Sequence, residues 1–148
     1  MSSLSFPDIN VWLAIAAPEH LRAALARGWW EREAGHIAFC RLTQLGFLRL
    51  VTTAAVMDGK PLTMTEAWRV YDRFYDDDRV TFLSEPPEVD KRFREKATGR
   101  TASPKVWADA WLLAVAQTAE GVLVTFDKAL ASRGALCLLP KRGEHVKS

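Results

Sequence analysis

The run Gly121-Val122-Leu123-Val124-Thr125-Phe126-Asp127 constrains this chain more than any other. From Val122 to Phe126 it carries no charge and no apolar–polar alternation, the pattern of a strand buried on both faces, and such strands belong to sheets covered by helices. Asp127 follows at once, so a carboxylate stands at the strand's carboxyl end, where open α/β sheets bind ligands. The preceding run, Val106 to Ala116, reads as a helix with Ser103 as its cap, Pro104 at its first position and Asp109 as its only charge. An unpaired carboxylate is expensive to bury on such a helix, so Asp109 needs a partner or a purpose.

The rest of the chain repeats the strand-then-helix order. Expected strands are Leu4–Pro7, Ile37–Phe39, Val80–Leu83, Val122–Phe126 and Leu136–Leu139. Expected helices run over Val11–Ala16, Glu19–Glu33 and Leu42–Val51, from the Thr63–Glu66 capping box to about Asp76, and from Pro86-Pro87 to Gly99; a short one follows Asp127. This alternation gives an α/β fold with a parallel sheet. One domain over residues 1–140 is expected, with 141–148 a solvated tail.

Each carboxylate has an ordinary explanation beside the chemical one. Asp109 has Lys105 one helical turn earlier, although Lys before Asp is the weaker order for such a pair. Asp127 and Asp8, which opens the helix after Leu4–Pro7, are both good N-cap residues. Three carboxylates in comparable places still suggest one site, because hard oxygen ligands at a sheet edge suit Mg²⁺ or Mn²⁺.

Composition excludes several classes. A net charge of +2 is too small to announce a nucleic-acid binder by bulk electrostatics, so any such contact needs local patches. No apolar run approaches a membrane span, and the N-terminus lacks the pattern of a secretion signal, so a cytoplasmic protein is expected. Cys40 and Cys137 sit in apolar surroundings without CxxC spacing, which points to reduced thiols. His20, His36 and His145 lack zinc-ligand spacing and are taken as incidental. Trp107 and Trp111, one turn apart, are expected to pack in the core or at a dimer interface. Neither GxGxxG nor GxxxxGK[ST] occurs.

Three segments resemble PIN-domain ribonucleases, specifically VapC-type toxins of bacterial toxin–antitoxin pairs. They are Pro-Asp-Ile-Asn-Val-Trp-Leu-Ala at the start, Cys-Arg-Leu-Thr-Gln-Leu-Gly-Phe-Leu-Arg-Leu in the middle, and Trp-Ala-Asp-Ala-Trp-Leu-Leu-Ala with Leu-Val-Thr-Phe-Asp near the end. The resemblance implies a three-layer α/β/α sandwich in which the first and fourth strands lie side by side. It implies Asp8 and Asp109 as direct metal ligands and Asp127 as holding a second metal or a metal-bound water. Asn10 and Thr125 would orient these carboxylates, though the former also reads as a first-turn helix residue and the latter as an ordinary strand residue. The cofactor implied is Mg²⁺ or Mn²⁺, and the reaction is hydrolysis of phosphodiester bonds in structured or single-stranded RNA, such as tRNA or rRNA. The partners implied are the RNA substrate, a small VapB-type antitoxin whose tail enters the acidic groove, and a second copy of the chain.

One departure stands out. The family usually carries a Glu on the helix matching Leu42–Leu50, where this chain has Gln44 and Gly46. Gln44 can accept a hydrogen bond but brings no charge. That leaves the metal count open and keeps an alternative in play: an acid-depleted, non-catalytic PIN protein that binds RNA or an antitoxin without cleavage. Arg41, Arg49, Lys105 and Lys128 are the candidate phosphate contacts.

Overall fold

The computed structural model describes residues 3–141. Among these, the strands are β1 (Leu4–Pro7), β2 (His36–Phe39), β3 (Val80–Phe82), β4 (Val122–Thr125) and β5 (Leu136–Cys137). The helices are α1 (Ile9–Ala16), α2 (Ala23–Arg32), α3 (Arg41–Val51), α4 (Met64–Arg73), α5 (Val89–Lys96), α6 (Val106–Thr118) and α7 (Lys128–Ala131), with a 3₁₀ turn at Phe74–Asp76 after α4. The sheet order is β3-β2-β1-β4-β5 and every pairing is parallel. The expected juxtaposition of the first and fourth strands is therefore present.

Alternation along the buried strands divides the core into two layers. Ile37, Phe39, Val124 and Phe126 join Val11, Trp12, Phe47, Tyr71 and Phe74 on the face covered by α1 to α4. Ala38, Cys40 and Leu123 join Phe6, Val89 and Leu112 to Ala116 on the face covered by α5 and α6. On the first face Trp12 stacks flat on Phe39 at 3.7 Å between ring centroids, which locks α1 onto β2. Gly121 lets β4 enter beside β1, since a Cβ there would stand 2.6 Å from the Leu4 carbonyl oxygen.

Several boundaries differ from the sequence expectation. The second helix starts at Ala23 rather than Glu19, and residues 18–22 form turns instead. The α6 helix begins at Val106 with Lys105 at its cap, and Ser103 contributes only its carbonyl, accepting from the Val106 N–H at 3.1 Å. The helix expected from Pro86 starts at Val89, and the last strand stops at Cys137. Trp107 is 59 % exposed and outside the core. Both cysteines are free; Cys40 is buried and Cys137 half-buried. No helix among the described residues is long and apolar enough to cross a membrane. Of the tail expected from 141 onward, all but Lys141 lies outside the described residues.

Candidate active site

The chain leaves β1 for β2 and β3 on one side, then returns to add β4 and β5 on the other. The connections thus part between β1 and β4, the position at which parallel sheets open a crevice at their carboxyl ends. Asp8 follows β1 and its N–H donates to the Val124 carbonyl at 2.9 Å, which extends the β1–β4 ladder by one residue and seats Asp8 beside Thr125. Asp8, Asn10, Asp109, Thr125 and Asp127 line one cavity of about 500 Å³ there, together with His20, Leu21, Arg22, Phe126 and Leu130.

The ordinary roles of two acids are present and do not exhaust them. Asp8 caps α1, its Oδ1 accepting from the Val11 N–H at 3.2 Å, while its Oδ2 accepts from the Thr125 hydroxyl at 2.6 Å. The same Thr125 Oγ1 accepts from the Asp127 N–H at 3.0 Å. Thr125, fully buried, therefore ties the ends of β1 and β4 together and fixes the orientation of Asp8. Asp127 caps α7 through Oδ1, which accepts from the Ala129 N–H at 2.9 Å. A carboxylate has about four lone-pair sites, so both caps keep acceptor capacity toward the cleft.

Asp109 differs, for it makes no hydrogen bond or ion pair among the described residues. The pairing with Lys105 that the sequence allowed is absent among the described residues, where Arg79–Asp77 and Arg94–Asp90 do pair. Burial pushes its carboxyl above the usual range, the charges of Asp127 and Asp8 push the same way, and Arg133 pulls weakly against them. Burial also raises Asp8, opposed by hydrogen bonds from Thr125, Val11 and Asn10 and reinforced by Asp127. Burial and mutual repulsion among acids that share a cleft mark it as a candidate functional site. All donors on this wall are oxygens, as a hard divalent cation requires. No group of three or more His, Cys, Asp or Glu side chains among the described residues is placed to hold a metal ion by itself, so an ion bound here would need water or substrate oxygens to complete its shell.

Gln44 does not reach this cleft. It is buried on α3, where its Oε1 accepts from the Arg41 guanidinium. At Gly46 a Cβ would lie 2.1 Å from Ile9 Cδ1, so any side chain there would require Ile9 to move. The space a longer α3 side chain would cross is filled by the residue directly after Asp8. None of Arg41, Arg49, Lys105 and Lys128 lines the cleft. The basic residues that do, His20 and Arg22, come from the turn before α2, and in the sequence that turn was hidden inside an expected helix.

The family profile of the PIN domain matches residues 5–136. The chain belongs to the PIN-domain family. Its curated relatives place this PIN domain among the VapC ribonucleases. Ribonuclease VapC41 of Mycobacterium tuberculosis is 39% identical over 135 residues, covering 87% of this chain and 92% of the relative. Ribonuclease VapC44 of the same organism is 32% identical over 127 residues, covering 84% and 86%. Two solved structures share the fold at 13% identity. They are M. tuberculosis VapC20, described as a toxin that cleaves the sarcin–ricin loop, with a TM-score of 0.62 over 89% of this chain and 96% of that one, and VapBC2 from Rickettsia felis bound to promoter DNA, with a TM-score of 0.60 over 90% and 96%. At that identity they support the architecture alone.

Proposed function

We propose that this VapC-type PIN domain is an endoribonuclease toxin that uses Mg²⁺ or Mn²⁺ to hydrolyse phosphodiester bonds in structured or single-stranded RNA. The observation that carries this reading is Asp109, an unpaired carboxylate on an apolar helix that shares one cleft with Asp8 and Asp127. Asp8 and Asp109 are the direct metal ligands, and Asp127 holds a second ion or a coordinated water. A divalent ion at this position supplies a water of lowered pKa and neutralises charge growing on the phosphate oxygens. Thr125 holds Asp8 in one orientation through its 2.6 Å hydrogen bond and, by accepting from Asp127, sets the spacing of the two strand-end acids. Asn10, exposed at the first turn of α1, offers its amide to the same wall. With Gln44 and Gly46 both withheld from the cleft, three acids rather than four do this work.

Attack by water leaves a 5′-phosphate on one product. A cytoplasmic site of action, a cognate antitoxin whose tail covers the cleft and a homodimeric toxin complete the proposal; family membership supports them. The non-catalytic alternative is weaker, because all three acids are retained and face one cavity. The test is cleavage of cellular RNAs by purified protein with Mg²⁺ or Mn²⁺, beside Asp8→Asn and Asp109→Asn. Discrete cuts with 5′-phosphate ends, lost in EDTA and in either variant, are expected. Cutting that survives chelation, or equal behaviour of all three proteins, would refute the metal-dependent scheme.

A further inference from the structure

The cleft has a second wall, built from the turns between α1 and α2. The Arg22 N–H donates to His20 Nδ1 at 3.0 Å, which makes that ring nitrogen an acceptor and ties the two residues together. The Arg22 guanidinium lies over the Phe126 ring, 5.2 Å from its centroid, and the His20 ring lies near-parallel to the same ring at 6.5 Å. Phe126 is 6 % exposed and immediately precedes Asp127, so this wall is anchored to the strand end that carries an acid.

The guanidinium itself is unspent. Among the described residues it makes no hydrogen bond and joins neither ion pair, although three carboxylates line the same cavity. Here the aromatic face of Phe126 and the backbone tie to His20 hold it in place, with five N–H donors left over. A polyanion entering the cleft brings the acceptors that are missing.

We infer that Arg22 is a phosphate-positioning residue, binding an RNA phosphodiester next to the one that is cut, and that His20 sets its place. Phosphate contacts fix the register of a nucleic acid on a protein, and a planar guanidinium matches two phosphate oxygens at once. The inference rests on the ribonuclease reading and deepens it by naming a substrate contact across the cleft from the metal-binding acids.

The test is steady-state cleavage of a labelled RNA oligonucleotide spanning a mapped cut site, at several salt concentrations. Arg22→Gln is expected to raise KM about tenfold or more while kcat changes little, because the contact is made in ground and transition states alike. It should also flatten the dependence of log kcat/KM on log salt by about 0.7, the increment of one phosphate contact on a single strand. Arg22→Lys should restore the salt slope and only part of KM. His20→Ala should raise KM and flatten the salt slope part-way, because it loosens the Arg22 contact, and His20→Asn, which can still accept from the Arg22 N–H, should recover much of both. If wild type cuts RNA and Arg22→Gln keeps its KM and salt slope, the inference is overturned and the ribonuclease reading stands. If wild type cuts no RNA with either metal, both fall.

Discussion

The carboxyl edge of the sheet has two halves that handle polar groups in opposite ways. On the β2–β3 side the polar groups at the strand ends pair with one another, although the buried indole N–H groups of Trp12 and Trp29 in the same core layer have no partner among the described residues. The Arg41 N–H donates to Glu85 Oε1 at 2.9 Å, its guanidinium donates to Gln44 and covers Phe82 at 4.7 Å, and the Tyr71 and Tyr75 hydroxyls share a 2.5 Å hydrogen bond. Cys40 and Thr43 close a local ring, the Cys40 N–H donating to Thr43 Oγ1 at 3.0 Å and the Thr43 hydroxyl donating to the Cys40 carbonyl at 3.1 Å. On the β1–β4 side three carboxylates line one cavity, one of them without a partner among the described residues, and two are pushed up in pKa by burial and by neighbouring carboxylates. A self-satisfied network stabilises a fold, whereas a cluster that the fold leaves unbalanced is poised for something from outside.

Breaking the β1–β4 half should cost activity. Asp109→Asn and Asp8→Asn are expected to reduce RNA cleavage to the level of buffer, measured by gel assay with saturating Mn²⁺. Thr125→Val keeps the β-branched shape but frees Asp8, and should lower metal affinity or kcat by about 10–100-fold without abolishing cutting. Titration calorimetry with Mn²⁺ separates the two. Breaking the β2–β3 half should instead cost stability. Gln44→Ala removes a buried side chain together with its hydrogen bond to Arg41, and about 1–3 kcal/mol of unfolding free energy is the expected loss, read from urea melts, with cleavage per folded molecule within about twofold of wild type. A large loss of specific activity in Gln44→Ala would merge the two halves into one site.

The smallest effect sharpens the contrast by its sign. Because the folded protein raises the Asp109 carboxyl above its ordinary 3.8, the stability tied to its protonated form is present below that value and is lost as pH rises through the folded value. Metal-free Asp109→Asn should therefore melt slightly higher than metal-free wild type at pH 7, with the gap narrowing as pH is lowered toward the ordinary carboxylate range. Adding Mn²⁺ should reverse the order, since only wild type gains from binding. Differential scanning fluorimetry with and without EDTA reads both.

Much of this was legible in the sequence because it is local. The apolar runs that became β1, β2 and β4, the Thr63–Glu66 capping box and the strand-ending acids Asp8 and Asp127 each depend on neighbours within a few residues. The capping box is present as read, with Glu66 N–H donating to Thr63 Oγ1 at 3.1 Å and Thr63 N–H donating to Glu66 Oε1 at 3.0 Å. Boundaries were less legible, since the tendency of residues 19–22 to be helical yields to the turns that bring His20 and Arg22 to the cleft.

The sequence by itself determined the α/β class and the parallel sheet and picked out three candidate acids, because hydrophobic period and the placing of a charge on an apolar helix or at a strand end are properties of short segments. Only the tertiary structure decided which groups meet. Thr125 could be told from an ordinary strand residue only once β4 lay beside β1 and its hydroxyl met Asp8, 117 positions away. Gln44 was drawn into a hydrogen bond with Arg41, and Ile9 filled the space beside Gly46. Contacts between residues far apart in the chain are set by packing and register, and neither is written in any single stretch of the sequence.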